Sequence, residues 1–399
     1  MTERAAPAVP AHPVSIAVVI GLFLGAVALR PQLLAIGPLL PEIRADLDLT
    51  ASVAGLITTI PVLCMGAFAP IGPRIAARIG PRLALATSIG LIVAFGLVRA
   101  FAPGVELLLL STFGIGVGVA IAGAVPSMVV SQHLPGHRAM GTGAYAGGIV
   151  TGSAIAAAVA VPLAGDHDWR RALALISVAS LVPLVAWLVL VRSDHHARPV
   201  HAQALRLPWG SATAWLLVLA FGLQSILFYG IVAWLPNALV EDGWTAGDTG
   251  LLMGVFNGLG LITTLGVPLI ADRLGSRRDQ LVVSSLVATI ALIGLNAMPE
   301  LTVPWVIVLG LALGAIFPLV LTLPLDVADA PSQVGAVAAL MLLGGYLLSS
   351  LGPFLLGAAR DATGDFGASL WLLVGISAVL VALCTTLSPW RLRRGVRTG

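Results

Sequence analysis

"PRIAARIGPR" (73–82) returns as "PLIADRLGSR" (268–277), displaced by 195 residues. Pro73 matches Pro268, Gly80 matches Gly275 and Arg82 matches Arg277. The match extends backwards without a gap. Residues 40–82 share 12 identities with 235–277, among them Pro41 with Pro236 and Gly55 with Gly250. Biased apolar composition would supply about a third of that by chance, so the chain carries two copies of one unit.

What the copies contain decides the fold. The 399 residues are 58% hydrophobic and only 10% charged, with a mean hydropathy of +1.02. A soluble domain carries about 25% charged residues. Apolar runs of about 20 residues suit bilayer-spanning helices. There are twelve, with the first at 14–40, the second at 50–72, the fourth at 105–131 and the last at 367–388. Backbone groups in lipid must pair internally, and runs this long do not suit barrel strands. The predicted class is therefore all-α and integral to a membrane: twelve transmembrane helices in two pseudo-symmetric six-helix bundles. The units are a tail at 1–13, a bundle at 14–191, a linker at 192–210, a bundle at 211–388 and a tail at 389–399. Parallel six-helix repeats are the arrangement of transporters whose halves rock about a central site, giving alternating access.

The net charge of +3 does not indicate a nucleic-acid partner. Alternate loops and both tails hold 15 of the 21 basic residues, all arginine, against 5 on the opposite side. The positive-inside rule makes the arginine-rich side cytoplasmic. Both termini are then expected inside, with the protein multi-pass in the cytoplasmic (inner) membrane. Cys64 and Cys384 fall in separate spans and read as packing residues. Paired carboxylates, metal-ligand sets and a nucleophile with its base are not visible at membrane depth, so no enzyme, cofactor or metal is expected.

The remaining arginine is Arg30, in "AVALRPQLLAIGPLLP" (26–41). It lies 11 residues before Pro41, read as the outer end of the span. At 1.5 Å per residue that is about 16 Å, near the middle of a core about 30 Å thick. An arginine there costs roughly 2.5–3.5 kcal/mol on insertion scales, so it needs a partner. No acidic residue falls near the middle of a span. Arg30 thus reads as the only deep ionisable group, available to an anion that its planar fork can hold. Bonding to carbonyls exposed at Pro31 is the structural alternative.

The repeat carries Arg30 onto Ser225 in "FGLQSILFYGIVAWLP" (221–236). Gln224, Ser225, Phe228 and Tyr229 occupy adjacent faces there. Asn257 adds a polar group at depth, and all three tyrosines of the chain, Tyr145, Tyr229 and Tyr346, fall inside spans. These residues, with Arg30, form the expected substrate site. Small residues in "GTGAYAGGIVTG" (141–152) and "GGYLLSSLGP" (344–353) suit close helix packing.

"LRPQLLAIGPLLPEIR" (29–44), "FGLQSILFYGIVAWLP" (221–236) and "GLALGAIFPLVLTLPLD" (310–326) resemble the cyanate permease and 2-nitroimidazole transporter branch of the major facilitator superfamily. The similarity runs over nearly the whole chain. It implies a twelve-helix transporter, expected to be a monomer. Arg30-Pro31, Gly37-Pro38, Trp234-Pro236 and Phe317-Pro318 fall on matching positions. The opening motif pair resembles the superfamily's loop signature. Arg78, Gly80, Arg82, Asp272, Arg273, Gly275 and Arg277 would then form a charge latch at the cytoplasmic gate, although Ala77 stands where the first copy's acid would be. Leu342 stands where a relative in that branch has a glutamine, a departure that weighs against cyanate itself.

The expected function is secondary active transport of a small anion, cyanate-like, oxyanion or carboxylate, centred on Arg30. The alternative is export of a neutral or weakly basic drug-like heterocycle such as a nitroimidazole.

Overall fold

The computed structural model describes residues 16–387 apart from 124, 135–136, 166–167, 192–206, 271–275 and 328–330. Both tails, most of the 192–210 linker, and Asp272, Arg273 and Gly275 therefore lie outside the described residues. Every regular element among the described residues is helical. The first half comprises α1 (Ile16–Asp46), α2 (Ala51–Ala67 with Ile71–Ile79), α3 (Pro81–Ala100), α4 (Val105–Ala122 with Val125–His133), α5 (Arg138–Ala164) and α6 (Trp169–Leu190). The second comprises α7 (Ala212–Glu241), α8 (Ala246–Ile270), α9 (Arg277–Ala297), α10 (Thr302–Val327), α11 (Pro331–Thr363) and α12 (Gly367–Thr386). Eleven are long and apolar enough to cross a bilayer, and α2 makes a twelfth if its two arms, bent by 66°, count as one span.

Proline explains where the helices differ from the apolar runs. In α2 the bend falls at Pro70, which cannot extend the hydrogen-bond ladder. The first helix does not end at Pro41 but continues to Asp46, with Pro41 inside it. Pro41 cannot donate to the Gly37 carbonyl four residues back. Asn237 Nδ2 of α7 donates to that oxygen instead, at 3.4 Å. The helix thereby survives its proline, and the repair joins the two halves.

Two ends of the molecule can be told apart. Arg82 at the start of α3 donates to Leu188 O of α6 at 2.6 Å, and Gly21 of α1 packs on Leu190 and Val191. The starts of α1 and α3 and the end of α6 thus share one face, the tail face. At the opposite, far face, Asp46 ends α1 beside Arg170 at 2.6 Å and accepts from Trp169 Nε1 at 3.2 Å.

The halves meet at α1 with α7, α2 with α11 and α5 with α8, and the meeting points follow the repeat. Gly37 and Val232 stand 195 apart in sequence and touch. A Cβ on Gly37 would lie 2.1 Å from Val232 O, the carbonyl that Pro236 leaves without its helical donor. Gly55 sits against Pro353 O of α11, and its repeat mate Gly250 against Ala157 O of α5. Outward-facing positions are apolar, such as Leu110 and Val182, as lipid contact requires.

Candidate functional site

A cavity of about 280 Å³ lies between the halves at the depth of Arg30. Its position follows from how α1 is built. The helix opens after Val27 and restarts at Pro31, whose missing N–H is harmless in a first helical turn. Arg30 caps this new segment, and its carbonyl accepts from the amides of Leu33 at 2.9 Å and Leu34 at 3.1 Å. Pro31 leaves the Val27 carbonyl without its helical donor. Gly152 of α5 approaches that oxygen so closely that a Cβ would lie 2.2 Å from it. A glycine is needed for α5 to pack on the break, and the break turns Arg30 into the space between the halves.

The eight residues expected at the site all line this one cavity: Arg30 from α1, Tyr145 from α5, four from α7, Asn257 from α8 and Tyr346 from α11. Arg30 is partly exposed there, with Cζ 5.9 Å from the Tyr229 ring centroid. Tyr346 and Tyr145 also lie within electrostatic reach of its guanidinium. No carboxylate among the described residues pairs with it. The polar groups of the site are modestly bonded. Tyr145 Oη donates to Ala122 O at 3.4 Å, Tyr229 Oη to Met65 Sδ at 3.8 Å, and Ser225 Oγ to Gln224 Oε1 at 3.3 Å. Asn257 Nδ2 donates back to Met253 O at 2.8 Å.

Sequence reasoning missed Phe256, which stands beside Asn257, and left Phe317 in a family motif without a site role; both line the cavity. Their signal was adjacency to a polar residue and to Pro318. The lining runs down α5 to Thr142, α8 to Thr264 and α10 to Leu321, from mid-span toward the tail face. On the far side, the Gly37, Gly55 and Gly250 contacts close the halves together.

A second buried cation corrects the expectation that Arg30 is alone at depth. Arg99 of α3 is fully buried and donates Nη2 to Gln32 O at 2.6 Å and to Gln32 Oε1. Gln32 Nε2 in turn donates to Ser177 Oγ at 2.7 Å and Leu173 O at 3.1 Å on α6. This network sits inside the first half, behind the Arg30 break, and Arg99 does not line the cavity.

Two of the loop-motif arginines have partners within their own halves. Arg82 reaches Leu188 O, and Arg277 of α9 meets Asp326 of α10 at 2.6 Å. Gly80, between Arg78 and Arg82, takes φ +82°, a backbone that favours glycine.

Residues 16–353 match the family model described as Major Facilitator Superfamily. The chain belongs to this superfamily. As a superfamily member it is a transporter rather than an enzyme, and a multi-pass membrane protein. It is 30% identical over 371 residues to the "2-nitroimidazole transporter" of Escherichia coli (strain K12), covering 92% of this chain and 94% of that protein. It is 30% identical over 345 residues to the "Cyanate transport protein CynX" of the same organism, covering 85% and 88%. Among solved structures, a bacterial homolog to the human lysosomal transporter Spinster, in an inward-facing and unoccupied conformation, superposes with a TM-score of 0.78. That match has 16% identity and covers 96% of this chain and 98% of the other.

Proposed function

We propose that this superfamily member moves a small anion, cyanate-like, an oxyanion or a carboxylate, across a bacterial inner membrane by alternating access between two six-helix bundles. Arg30 is its central binding residue. The observation that carries the reading is the setting of Arg30: a guanidinium exposed to the inter-half cavity, ringed by three tyrosines and paired with no described carboxylate. A buried charge without a counter-charge is costly, and an arriving anion removes that cost while accepting two parallel hydrogen bonds. The tail face is the cytoplasmic one in this reading, by the arginine bias of its loops. The loop-motif arginines hold that face together in its closed state. An inside-negative potential opposes entry of a monovalent anion by about 2.3 kcal/mol per 100 mV. Uptake therefore requires exchange, a proton carried with the substrate, or consumption inside, whereas export runs downhill.

The second reading is export of a neutral or weakly basic heterocycle. It is favoured by the apolar cavity wall and by the 30% identity to a protein named for 2-nitroimidazole. Flux assays in proteoliposomes, in both directions, with charged and uncharged solutes separate the two. The anion reading expects Arg30→Ala to abolish anion flux while the protein remains monodisperse. Undiminished anion flux in that variant ends it, and nitroimidazole flux indifferent to the substitution supports the second reading.

A further inference from the structure

The walls of the cavity are unevenly shared between the two halves. Among the described residues that line it, the only charged one, Arg30, belongs to the first half, and five of the six aromatic rings, Phe228, Tyr229, Phe256, Phe317 and Tyr346, belong to the second. These rings fall into two packed groups. Phe228 and Phe256 stack with centroids 6.2 Å apart and planes at 26°, and Tyr229 meets Phe228 edge-on at 5.3 Å. Phe221, behind the wall, ties Phe317 to Tyr346 with centroid distances of 6.4 and 5.0 Å. So large an aromatic area beside one cation is poorly used by a three-atom anion. Such an ion would occupy Arg30 and leave most rings facing water.

The size of the space agrees. A cavity of about 150 Å³ accommodates benzene. The 280 Å³ here takes one ring with one or two substituents. A second carboxylate would find no second cation among the described lining residues. We infer that the ligand is a monocyclic aromatic monoanion, with its charged group on Arg30 of α1 and its ring against the aromatic wall of α7, α8 and α10. This rests on the anion reading above and narrows it. It also divides the labour between the halves: charge is held by the first, ring by the second. One small molecule then favours the conformations in which both halves touch it.

The test varies the ligand and leaves the protein intact. Wild-type protein in lipid nanodiscs is titrated calorimetrically with benzoate, salicylate, nicotinate, cyclohexanecarboxylate, acetate, cyanate and benzamide. Benzoate is expected to bind at least about tenfold more tightly than cyclohexanecarboxylate, which has the same charge and similar bulk but no π face. A Phe228→Leu/Phe317→Leu double variant is expected to shrink that ratio. Benzoate binding no tighter than cyclohexanecarboxylate or acetate overturns the aromatic assignment and leaves the anion site standing. Benzamide matching benzoate, with neither affected by Arg30→Gln, overturns the anion reading and this inference together. Failure of all three aromatic acids to bind overturns the inference as well.

Discussion

Two arginines within the membrane-spanning helices separate two uses of the same side chain. Arg30 faces a cavity, whereas Arg99 is enclosed and shares Gln32 with α6. Removing one member of a buried charged network costs more than removing both, because the survivor keeps its desolvation penalty. Gln32→Leu, which removes the side-chain acceptor of Arg99 and leaves it the residue-32 carbonyl, is expected to destabilise the protein by about 2 kcal/mol. Gln32→Leu/Arg99→Leu is expected to recover part of that loss in denaturant unfolding of the detergent-solubilised protein. A double variant no more stable than the single would contradict this arrangement. Arg30 stood out in the sequence because a charge deep inside an apolar run is costly and needs a partner. The tyrosines were legible because all three sat away from the interfaces they usually prefer. Arg99 was not, since a position near the end of α3 reads as a loop until the side chain is seen to reach Gln32. Phe256 and Phe317 escaped for the opposite reason: phenylalanine in an apolar helix looks like ordinary packing.

At the scale of elements, the halves are joined through backbone, and proline and glycine do the joining. Pro41 leaves Gly37 O for Asn237, and Pro236 leaves Val232 O for contact with Gly37 itself. A methyl group on Gly37 would press on a carbonyl that cannot rotate away. Gly37→Ala is expected to separate α1 from α7 at the far face. Overpacking of this kind typically costs 1–3 kcal/mol. Because the contact exists only while that face is closed, the penalty appears as a population shift of roughly 5- to 150-fold toward a far-face-open state. Pulsed electron paramagnetic resonance distances between labels on α1 and α7 would read it. An unchanged distance distribution would show that the contact is slack. The spans were legible from hydropathy because lipid imposes length and polarity together. The breaks were less so. Pro41 ends one expected span but lies inside the real helix, since Asn237, distant in sequence, replaces the missing donor. No local pattern could announce that bond.

Across the whole molecule, the far face is also tied by charge. Asp361 of α11 accepts from the amides of Ala51 at 2.8 Å and Ser52 at 2.7 Å, capping α2 from the other half. Glu241 of α7 meets Arg360 at 2.9 Å and Arg44 of α1 at 3.9 Å. Such exposed pairs contribute little singly, about 0–1 kcal/mol, while loss of a helix cap costs about 1 kcal/mol. Asp361→Ala is therefore expected to raise the far-face-open population about fivefold, seen as faster alkylation of a cysteine placed beside Arg44. An alkylation rate equal to that of the capped protein would contradict the role. The 195-residue repeat made the two-fold plan readable, and Gly55 and Gly250 confirm it by packing at equivalent points on α11 and α5. Which face stands closed was not readable. Both copies carry the same signals, and the choice between states rests on small differences summed over many contacts.

The proposal that an anion is held by Arg30 is tested most directly by isothermal titration of benzoate into folded wild-type and Arg30→Gln protein in the same nanodiscs. Loss of two charge-assisted hydrogen bonds predicts an affinity drop of about 100-fold or more, with unfolding temperature little changed in the absence of ligand. Equal affinity in the two proteins would contradict it.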